Sequence, residues 1–380
     1  MKFQRNLIER LVCYVMLILV TLYFSQGVVL PGGEGAGTIL LIAVFCISIF
    51  YLIKLALIKN KFNAFMRVWF LFMLMYSIYF LMYEDHASYG LLKSVLLNFL
   101  PFYPFYYFAE KGILTRNHLI AFFVVMLPLF IVMFIQSIAQ LRLEEMRDDV
   151  VDNTVYLFIG LLPFAFLFRK RLISLGFLMI IWFFMIQSAK RAAILCGVVA
   201  LILIVFEYLY ASESKSKLKK YSIAATLLLG VGYFGYDLYM QNQYLIERME
   251  GMLQGESSGR DLLVETLLKT WYEANDLIRY LFGFGYNASR LHSVHVSHND
   301  WVDMLISFGL LGLLVYFALF RLLFLEVLNP NWARDKKVIL ILVIGIACIT
   351  SLTSRWYSSS FAYMQILFLP YLLATHKQKL

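Results

Sequence analysis

The polar segment Ser297-His298-Asn299-Asp300-Trp301 ends where a long apolar run, 304–312, begins. A histidine side chain gains or loses a proton near neutral pH, because its unperturbed pKa is about 6.5. At the boundary between a polar loop and an apolar helix, His298 is therefore a candidate for proton transfer at a membrane surface. The alternative is a histidine that only caps a membrane helix, and spacing alone does not separate the two interpretations.

Basic residues that could bind an anion occur at three other positions. Lys190 and Arg191 stand between two apolar runs with no hydrophilic loop to solvate them, and Arg260 opens a helical pattern. A planar guanidinium suits bidentate contact with phosphate, and a neighbouring lysine adds a point charge, so a lipid-linked phosphate is the favoured ligand. The alternatives are carboxylate ion pairs, bulk lipid head groups or, for Arg260, a solvated helix start. Lys93 and Arg355 are weaker candidates, since each could snorkel to the surface.

The sequence gives little support for a metal or a bound cofactor. His292, His295 and His298 recur every three residues, but no cysteine or nearby carboxylate completes a ligand set. The chain has no Walker loop, no glycine-rich dinucleotide turn and no His-Glu-x-x-His pattern. We therefore expect neither metal nor cofactor.

The elements that position these residues are predicted to be membrane helices. Hydrophobic residues make up 62% of the 380 residues and the mean hydropathy is +0.76, which is typical of an all-α polytopic membrane protein. Runs near the roughly 20 residues needed to span a bilayer predict about twelve transmembrane helices. They are 11–30, 38–58, 65–83, 91–108, 119–138, 156–168, 172–186, 192–210, 221–238, 302–320, 338–352 and 361–374. The sixth, seventh and eleventh are short, so a merged or re-entrant segment is an alternative there.

The distribution of lysine and arginine predicts the orientation. With the N-terminus inside, 22 of the 33 basic residues lie in cytoplasmic segments, as the positive-inside rule favours. Both termini are then cytoplasmic. The net charge of +9 is explained by this bias, and no nucleic-acid partner is expected.

A single membrane domain, 1–380, is the simplest organisation, interrupted by one long loop at 239–300 between predicted helices 9 and 10. Within this outer loop, apolar residues from Leu263 to Leu281 recur at helical spacing and predict an amphipathic helix against the bundle. Gly283-Phe284-Gly285 would end that helix in a tight turn.

Three landmarks in the second half of the chain are arranged as in a known family. They are Ser188-Ala189-Lys190-Arg191-Ala192, Ser258-Gly259-Arg260, and Gly283-Phe284-Gly285 followed by His298-Asn299 and Gly309-x-x-Gly312. In these landmarks, from about 187 to 317, the chain resembles the bacterial O-antigen ligase and polysaccharide polymerase superfamily. The family often has Ser-Arg-Gly where this chain has Ser-Ala-Lys-Arg, so either Lys190 or Arg191 could be its arginine, and we assign Arg191. The N-terminal half matches only as a series of membrane helices.

The resemblance implies a C-type glycosyltransferase that works without a metal at the periplasmic face on glycans carried by undecaprenyl pyrophosphate. Arg191 and Arg260, assisted by Lys190, would hold the pyrophosphate, whose negative charge grows as the sugar leaves. His298 would be the base for the attacking hydroxyl, with Asn299 orienting sugar or imidazole. Gly283 and Gly285 would support the turn. The family also implies inversion of the anomeric centre.

The leading hypothesis is a surface polysaccharide (O-antigen-type) polymerase in the bacterial inner membrane. Donor and acceptor would both be undecaprenyl-pyrophosphate-linked glycans, with membrane lipids and a chain-length regulator protein as further candidate partners. One alternative is an O-antigen ligase that transfers the glycan to lipid A core. A transporter or flippase for lipid-linked oligosaccharides is an alternative of another class, disfavoured because the polar landmarks occupy only the second half of the chain.

Overall fold

The computed structural model describes residues 2–29, 34–58, 61–83, 88–145, 151–211, 260–292 and 297–376, with scattered positions between 225 and 251. Every secondary-structure element in these residues is helical, which confirms the all-α prediction. Seven of the described helices are long and apolar enough to cross a membrane, and the chain is a multi-pass membrane protein. Those spans are Leu7–Phe24, Gly35–Leu57, Ala64–Met82, Arg116–Glu144, Arg191–Leu209, Asp300–Leu328 and Arg334–Thr353.

The helices are numbered in chain order. The first ten are α1 (Lys2–Phe24), α2 (Gln26–Val29), α3 (Glu34–Leu57), α4 (Ala64–Met82), α5 (Tyr89–Phe99), α6 (Phe102–Glu110), α7 (Arg116–Glu145), α8 (Val155–Ala165), α9 (Arg171–Gln187) and α10 (Arg191–Ala211). The others are α11 (Arg260–Tyr272), α12 (Leu277–Phe282), α13 (Ala288–Leu291), α14 (Asp300–Leu328), α15 (Arg334–Thr353) and α16 (Leu369–Thr375).

Several predicted spans differ from the observed helices. The fourth, 91–108, is the pair α5 and α6, broken at Pro101, which has no N–H to continue a helix. The eleventh is the 20-residue α15 and is not short. The sixth and seventh are short, as α8 and α9 have 11 and 17 residues. The ninth, 221–238, lies mostly outside the described residues, so the total of twelve stays a prediction.

The predicted amphipathic helix of the long loop is two helices, α11 and α12. Asn275 has a left-handed φ of 46°, and the side chain of Asp276 accepts the Ile278 N–H at 2.9 Å to cap α12. Asparagine and aspartate favour such interruptions because their side chains bond to nearby backbone groups. One face of α11, centred on the buried Leu267, packs against Val302 and the rest of an apolar cluster that includes the start of α14.

Contacts between successive helices define two ends of the bundle. At one end, Lys54 of α3 binds Glu9 of α1 at 2.8 Å, and Arg171 at the start of α9 pairs with Glu207 near the end of α10. We call this the basic end. Because the chain alternates direction, α4, α9 and α15 finish at the opposite end, where α5, α10 and α14 begin. We call this opposite end the site end.

An aromatic core lies beneath the site end. Trp356 and Tyr357, which directly follow α15, are fully buried. Trp356 lies edge-on to Trp69 of α4 with 6.1 Å between ring centroids, and Tyr357 lies 5.2 Å from Tyr76 of the same helix. Large buried aromatic rings contribute strongly to packing, so the chain that leaves α15 is firmly held at this end.

Candidate functional site

The start of α14 fixes the position of His298. Asn299 is the N-cap of the helix, and its side-chain oxygen accepts the N–H groups of Trp301 at 3.0 Å and Val302 at 3.3 Å. His298, just before the cap, has a left-handed φ of 49° and an exposed side chain. The side-chain oxygen of Asn299 therefore caps the N-terminus of α14. The turn before the cap places the imidazole of His298 at the surface of the site end.

The glycines of the loop dock it onto a break in α14. Gly309 interrupts the helix with a φ of 64° and a ψ of −160°. The N–H groups of Phe284 and Gly285 donate to the carbonyls of Ile306 at 2.8 Å and Ser307 at 3.1 Å. A Cβ on Gly283 would lie 2.5 Å from the carbonyl carbon of Ser307, so only glycine allows this approach. Gly283 and Gly285 thus hold the loop in place and present no side chain of their own.

Arg260 lies at the C-terminus of α15. Its Nη1 donates to the backbone carbonyl of Thr353, the last residue of that helix, at 3.0 Å. A cation is favoured there because the last carbonyls of a helix carry partial negative charge. The first residue of α11 is in this way fixed at the site end, although Ser258 and Gly259 of the same landmark lie outside the described residues.

Arg191 reaches the same corner of the molecule through the packing of α10 on α15. The two helices run in opposite directions, and a Cβ on Gly345 would lie 3.7 Å from Cγ1 of Val199. Val199 is eight residues after Arg191 (199 − 191), and Gly345 is eight residues before Thr353 (353 − 345). Since both helices rise by about 1.5 Å per residue, Arg191 lies level with Thr353, to which Arg260 is bonded.

Lys190 belongs to the tight turn between α9 and α10. Ala189 has a left-handed φ of 51°, and the Ser188 hydroxyl donates to the Met185 carbonyl at 2.7 Å. The Nζ of Lys190 lies 5.8 Å from the ring centroid of Tyr156, at the start of α8. A cation over an aromatic face is stabilised electrostatically, so the turn holds Lys190 beside Arg191.

Two buried carboxylates in the first turn of α14 organise the site end, and the sequence analysis did not select them. Asp300 accepts the N–H of Trp356 at 2.8 Å and the hydroxyl of Tyr316 at 2.7 Å. Asp303 forms an ion pair of 3.4 Å with Arg355 and accepts the hydroxyl of Tyr357. Buried carboxylates are tolerated only with such partners. They bind the chain after α15 to the helix that follows His298.

Arg355 is the residue whose role differs most from the sequence-based expectation of surface snorkelling. Burial acts to lower the pKa of its guanidinium, but Asp303 together with Tyr357, Tyr76 and Asp300 outweighs that effect, so the pKa is raised and the charge is kept. Within the described part of the chain, its Nε and Nη2 are buried and donate no hydrogen bond. The available signal was the spacing of Asp300 and Asp303, which places two carboxylates on one face of a helix.

One segment, Thr353–Tyr357, links Arg260 to the helix that begins after His298. Thr353 binds Arg260 and lies level with Arg191, while Arg355 and Trp356 bind the helix that begins after His298. Among the described residues no three histidine, cysteine or carboxylate side chains form a metal site, and His295 lies outside them.

Comparisons with known proteins add no relative. No protein-family model matches this chain, and no curated protein matches it.

Proposed function

We propose that the protein is a surface polysaccharide polymerase. It transfers a growing glycan from undecaprenyl pyrophosphate to another lipid-linked repeat unit at the periplasmic face of the bacterial inner membrane. One observation carries the proposal: the segment Thr353–Tyr357 is bonded both to Arg260 and to the helix start after His298, and Arg191 lies level with Thr353. Cations beside a titratable group at one end of a membrane bundle suit chemistry on a lipid-linked phosphate.

The cations act on the leaving group. When the bond between the anomeric carbon and the pyrophosphate oxygen breaks, the electron pair stays on that oxygen. Arg191 and Arg260, with Lys190 beside them, stabilise the growing negative charge. Fixed positive groups in a site of low dielectric can do this without reorganising, so the step requires no other Lewis acid.

His298 acts on the nucleophile. A hydroxyl oxygen of the acceptor sugar forms the new glycosidic bond at the anomeric carbon, and its proton passes to the imidazole. Attack opposite the leaving pyrophosphate inverts the anomeric centre. Asn299 supports the reaction by capping α14, which fixes the backbone that carries His298.

The proposed orientation follows from the two ends of the bundle. The paired cations of the basic end, among them Lys54 and Arg171, belong to segments that the positive-inside rule assigns to the cytoplasm. The site end then faces the periplasm, with both termini on the cytoplasmic side. This is where flipped undecaprenyl-linked repeat units would be available.

The test is the surface glycolipid profile of a deletion strain from the source bacterium, restored with wild type, His298→Ala or His292→Ala. His292 is an exposed histidine of the same loop, with its ring edge-on to Phe284, so it is a matched control. We expect a band with a single repeat unit for the deletion and for His298→Ala, and normal polymer for wild type and His292→Ala. All proteins should be present in the membrane at equal amounts.

Other profiles contradict the proposal in different ways. Normal chain length with His298→Ala removes that residue as the base. Unmodified lipid A core with accumulated lipid-linked polymer in the deletion strain identifies a ligase. Single repeat units trapped on the cytoplasmic leaflet identify a flippase and overturn the enzyme assignment.

A further inference from the structure

A cleft of about 490 Å³ lies at the site end. It is formed by the end of α1, the start of α2, the second half of α5, Met133 of α7, the start of α8 and the chain after α15. Among its described lining residues none carries a formal charge, and most have hydroxyl or amide side chains. Those that line it with such groups include Gln26, Ser94, Asn153, Thr154, Ser358 and Ser360.

One wall of the cleft is fixed by buried hydrogen bonds. The amide of Asn98 donates to the carbonyls of Ser94 at 2.8 Å and Ser359 at 3.2 Å. The hydroxyl of Ser359 donates back to Asn98 Oδ1 at 3.2 Å, and Gln365 donates to that hydroxyl at 3.3 Å. Asn98, Ser359 and Gln365 are all buried. Buried hydrogen bonds of this kind hold polar side chains in a set geometry, which is what selective binding requires.

Two tyrosines that line the cleft each lie beneath a lysine. The Nζ of Lys190 is 5.8 Å from the ring of Tyr156, and the Nζ of Lys93 is 5.9 Å from the ring of Tyr23. Positive charge is therefore present at the edge of the cleft, while its described lining carries no formal charge and combines hydroxyl and amide groups with apolar surface. A ligand that fits has a neutral, hydroxyl-rich body joined to a negatively charged group.

The cleft is joined to the candidate site by covalent continuity. Ser358–Ser360 forms part of its lining and directly follows Tyr357, which binds Asp303. On the other side, Lys190 is adjacent in sequence to Arg191. A ligand in the cleft would thus extend towards the cations that hold the pyrophosphate in the proposed function.

We infer that this cleft binds the uncharged glycan of a lipid-linked substrate, and that its hydroxyl and amide side chains select the sugars. The inference rests on the proposed function for the identity of the substrate, but glycan binding is measured independently of transfer. Hydroxyl and amide groups recognise sugar hydroxyls by hydrogen bonds, and the tyrosine rings offer apolar faces for sugar rings.

The binding test uses the purified full-length protein in detergent micelles and ligand-observed NMR. The probe is the free repeat-unit oligosaccharide, released by mild acid from the lipid that accumulates in the deletion strain. Ser94→Phe fills the cleft, and we expect it to weaken binding at least about tenfold, since lost sugar hydrogen bonds cost roughly 1–3 kcal/mol. Ser360→Phe, at an exposed lining position, should do the same if Ser94→Phe folds poorly.

Ser77→Phe is the matched control. Ser77 and Ser94 are both half-buried helical serines whose hydroxyls donate to the carbonyl four residues earlier, at 3.0 and 2.9 Å, but only Ser94 lines the cleft. Ser77→Phe should bind the oligosaccharide as wild type does. No binding to wild type, or equal loss with Ser77→Phe and Ser94→Phe, overturns the inference.

Kinetic measurements then show whether the cleft binds the glycan of the donor or that of the acceptor. They also separate glycan binding by the cleft from catalysis by His298. A raised KM for donor or for acceptor in Ser94→Phe assigns the cleft to that substrate, and an unchanged KM for both overturns the inference. His298→Ala should bind the oligosaccharide normally while transfer is lost. If oligosaccharide binding depends on Ser94 but His298→Ala still transfers, the cleft stands and the proposed catalytic role fails.

Discussion

The two ends of the helix bundle use their basic residues differently. At the basic end, Lys54 and Arg171 are paired with the carboxylates Glu9 and Glu207, which join neighbouring helices. At the site end, Arg260 donates to a backbone carbonyl, which is a neutral acceptor, and it forms no ion pair within the described residues. Cations of the first kind hold helices together, whereas those of the second kind are suited to an anion from outside the chain. A basic residue that is paired with a carboxylate is therefore interpreted as structural, and one that is not paired is a candidate for binding an anion.

The largest expected effect is the loss of a buried pair at the basic end. Arg171→Met leaves Glu207 buried without its partner and removes donors to the carbonyls of Phe166 and Phe168. We expect the free energy of unfolding to fall by about 3 kcal/mol, measured by thermal or denaturant unfolding in detergent. Polymer formed per folded molecule should not change.

Lys61→Met is the comparison for that loss. Its pair with Glu110 is more exposed, with 43% and 24% of the two side chains accessible. Solvent screens such pairs, so we expect a change below about 1 kcal/mol. Equal destabilisation by Lys61→Met and Arg171→Met would contradict burial as the cause.

The next largest expected effect is that of Arg260→Lys on the rate of the proposed transfer reaction. Arg260→Lys keeps the charge but loses the planar guanidinium that can hold a phosphate bidentately. We expect transfer to fall about 100-fold with little change in stability, as when a preorganised donor to a developing charge is removed. The measurement is initial rate with purified lipid-linked substrate, with Lys269→Arg as control, since Lys269 is an exposed cation on the same helix. Full activity of Arg260→Lys would make Arg260 a generic cation at a helix end.

The smaller of the two effects on transfer comes from the Arg355–Asp303 ion pair, which resembles the pairs at the basic end. Asp303→Asn keeps the shape of the side chain but removes the negative charge beside Arg355. Arg355 and Tyr357 bond to Asp303 of α14, and the residues that follow them, Ser358–Ser360, line the cleft. We therefore expect the rate of transfer and the free energy of unfolding to fall together. Transfer should fall about tenfold and the free energy of unfolding by about 3 kcal/mol, as for Arg171→Met, because Arg355 stays buried without its anionic partner. A change in stability alone would make this pair equivalent to Arg171 and Glu207.

Sequence reasoning was sufficient for the membrane class, because long apolar runs alone specify helices in a bilayer. It was less accurate where local signals interrupt those runs. Asn275 interrupts such a run, because it separates α11 from α12 where the sequence predicts one helix. A left-handed residue between two amphipathic segments leaves their helical spacing almost unchanged, so the pattern continues across the break.

The candidate site was predicted only in part, because its assembly depends on contacts between distant segments. Arg355 and Asp303 are 52 residues apart (355 − 303), and nothing in the local pattern of either links them. The level arrangement of Arg191 with Thr353 depends on the packing of α10 against α15. His298 was identifiable from its place at the edge of an apolar run, whereas the residues that hold its helix were not.

The break at Gly309 has a consequence for membrane depth. The part of α14 that follows it, 310–328, has 19 residues (328 − 309) and is about 28 Å long, which nearly matches the roughly 30 Å hydrocarbon core of a bilayer. The part before the break, with Asp300 and Asp303, is therefore free to lie among the lipid head groups. At that level water and mobile ions are within reach of His298, while the polyprenyl tail of a substrate would stay in the hydrocarbon below.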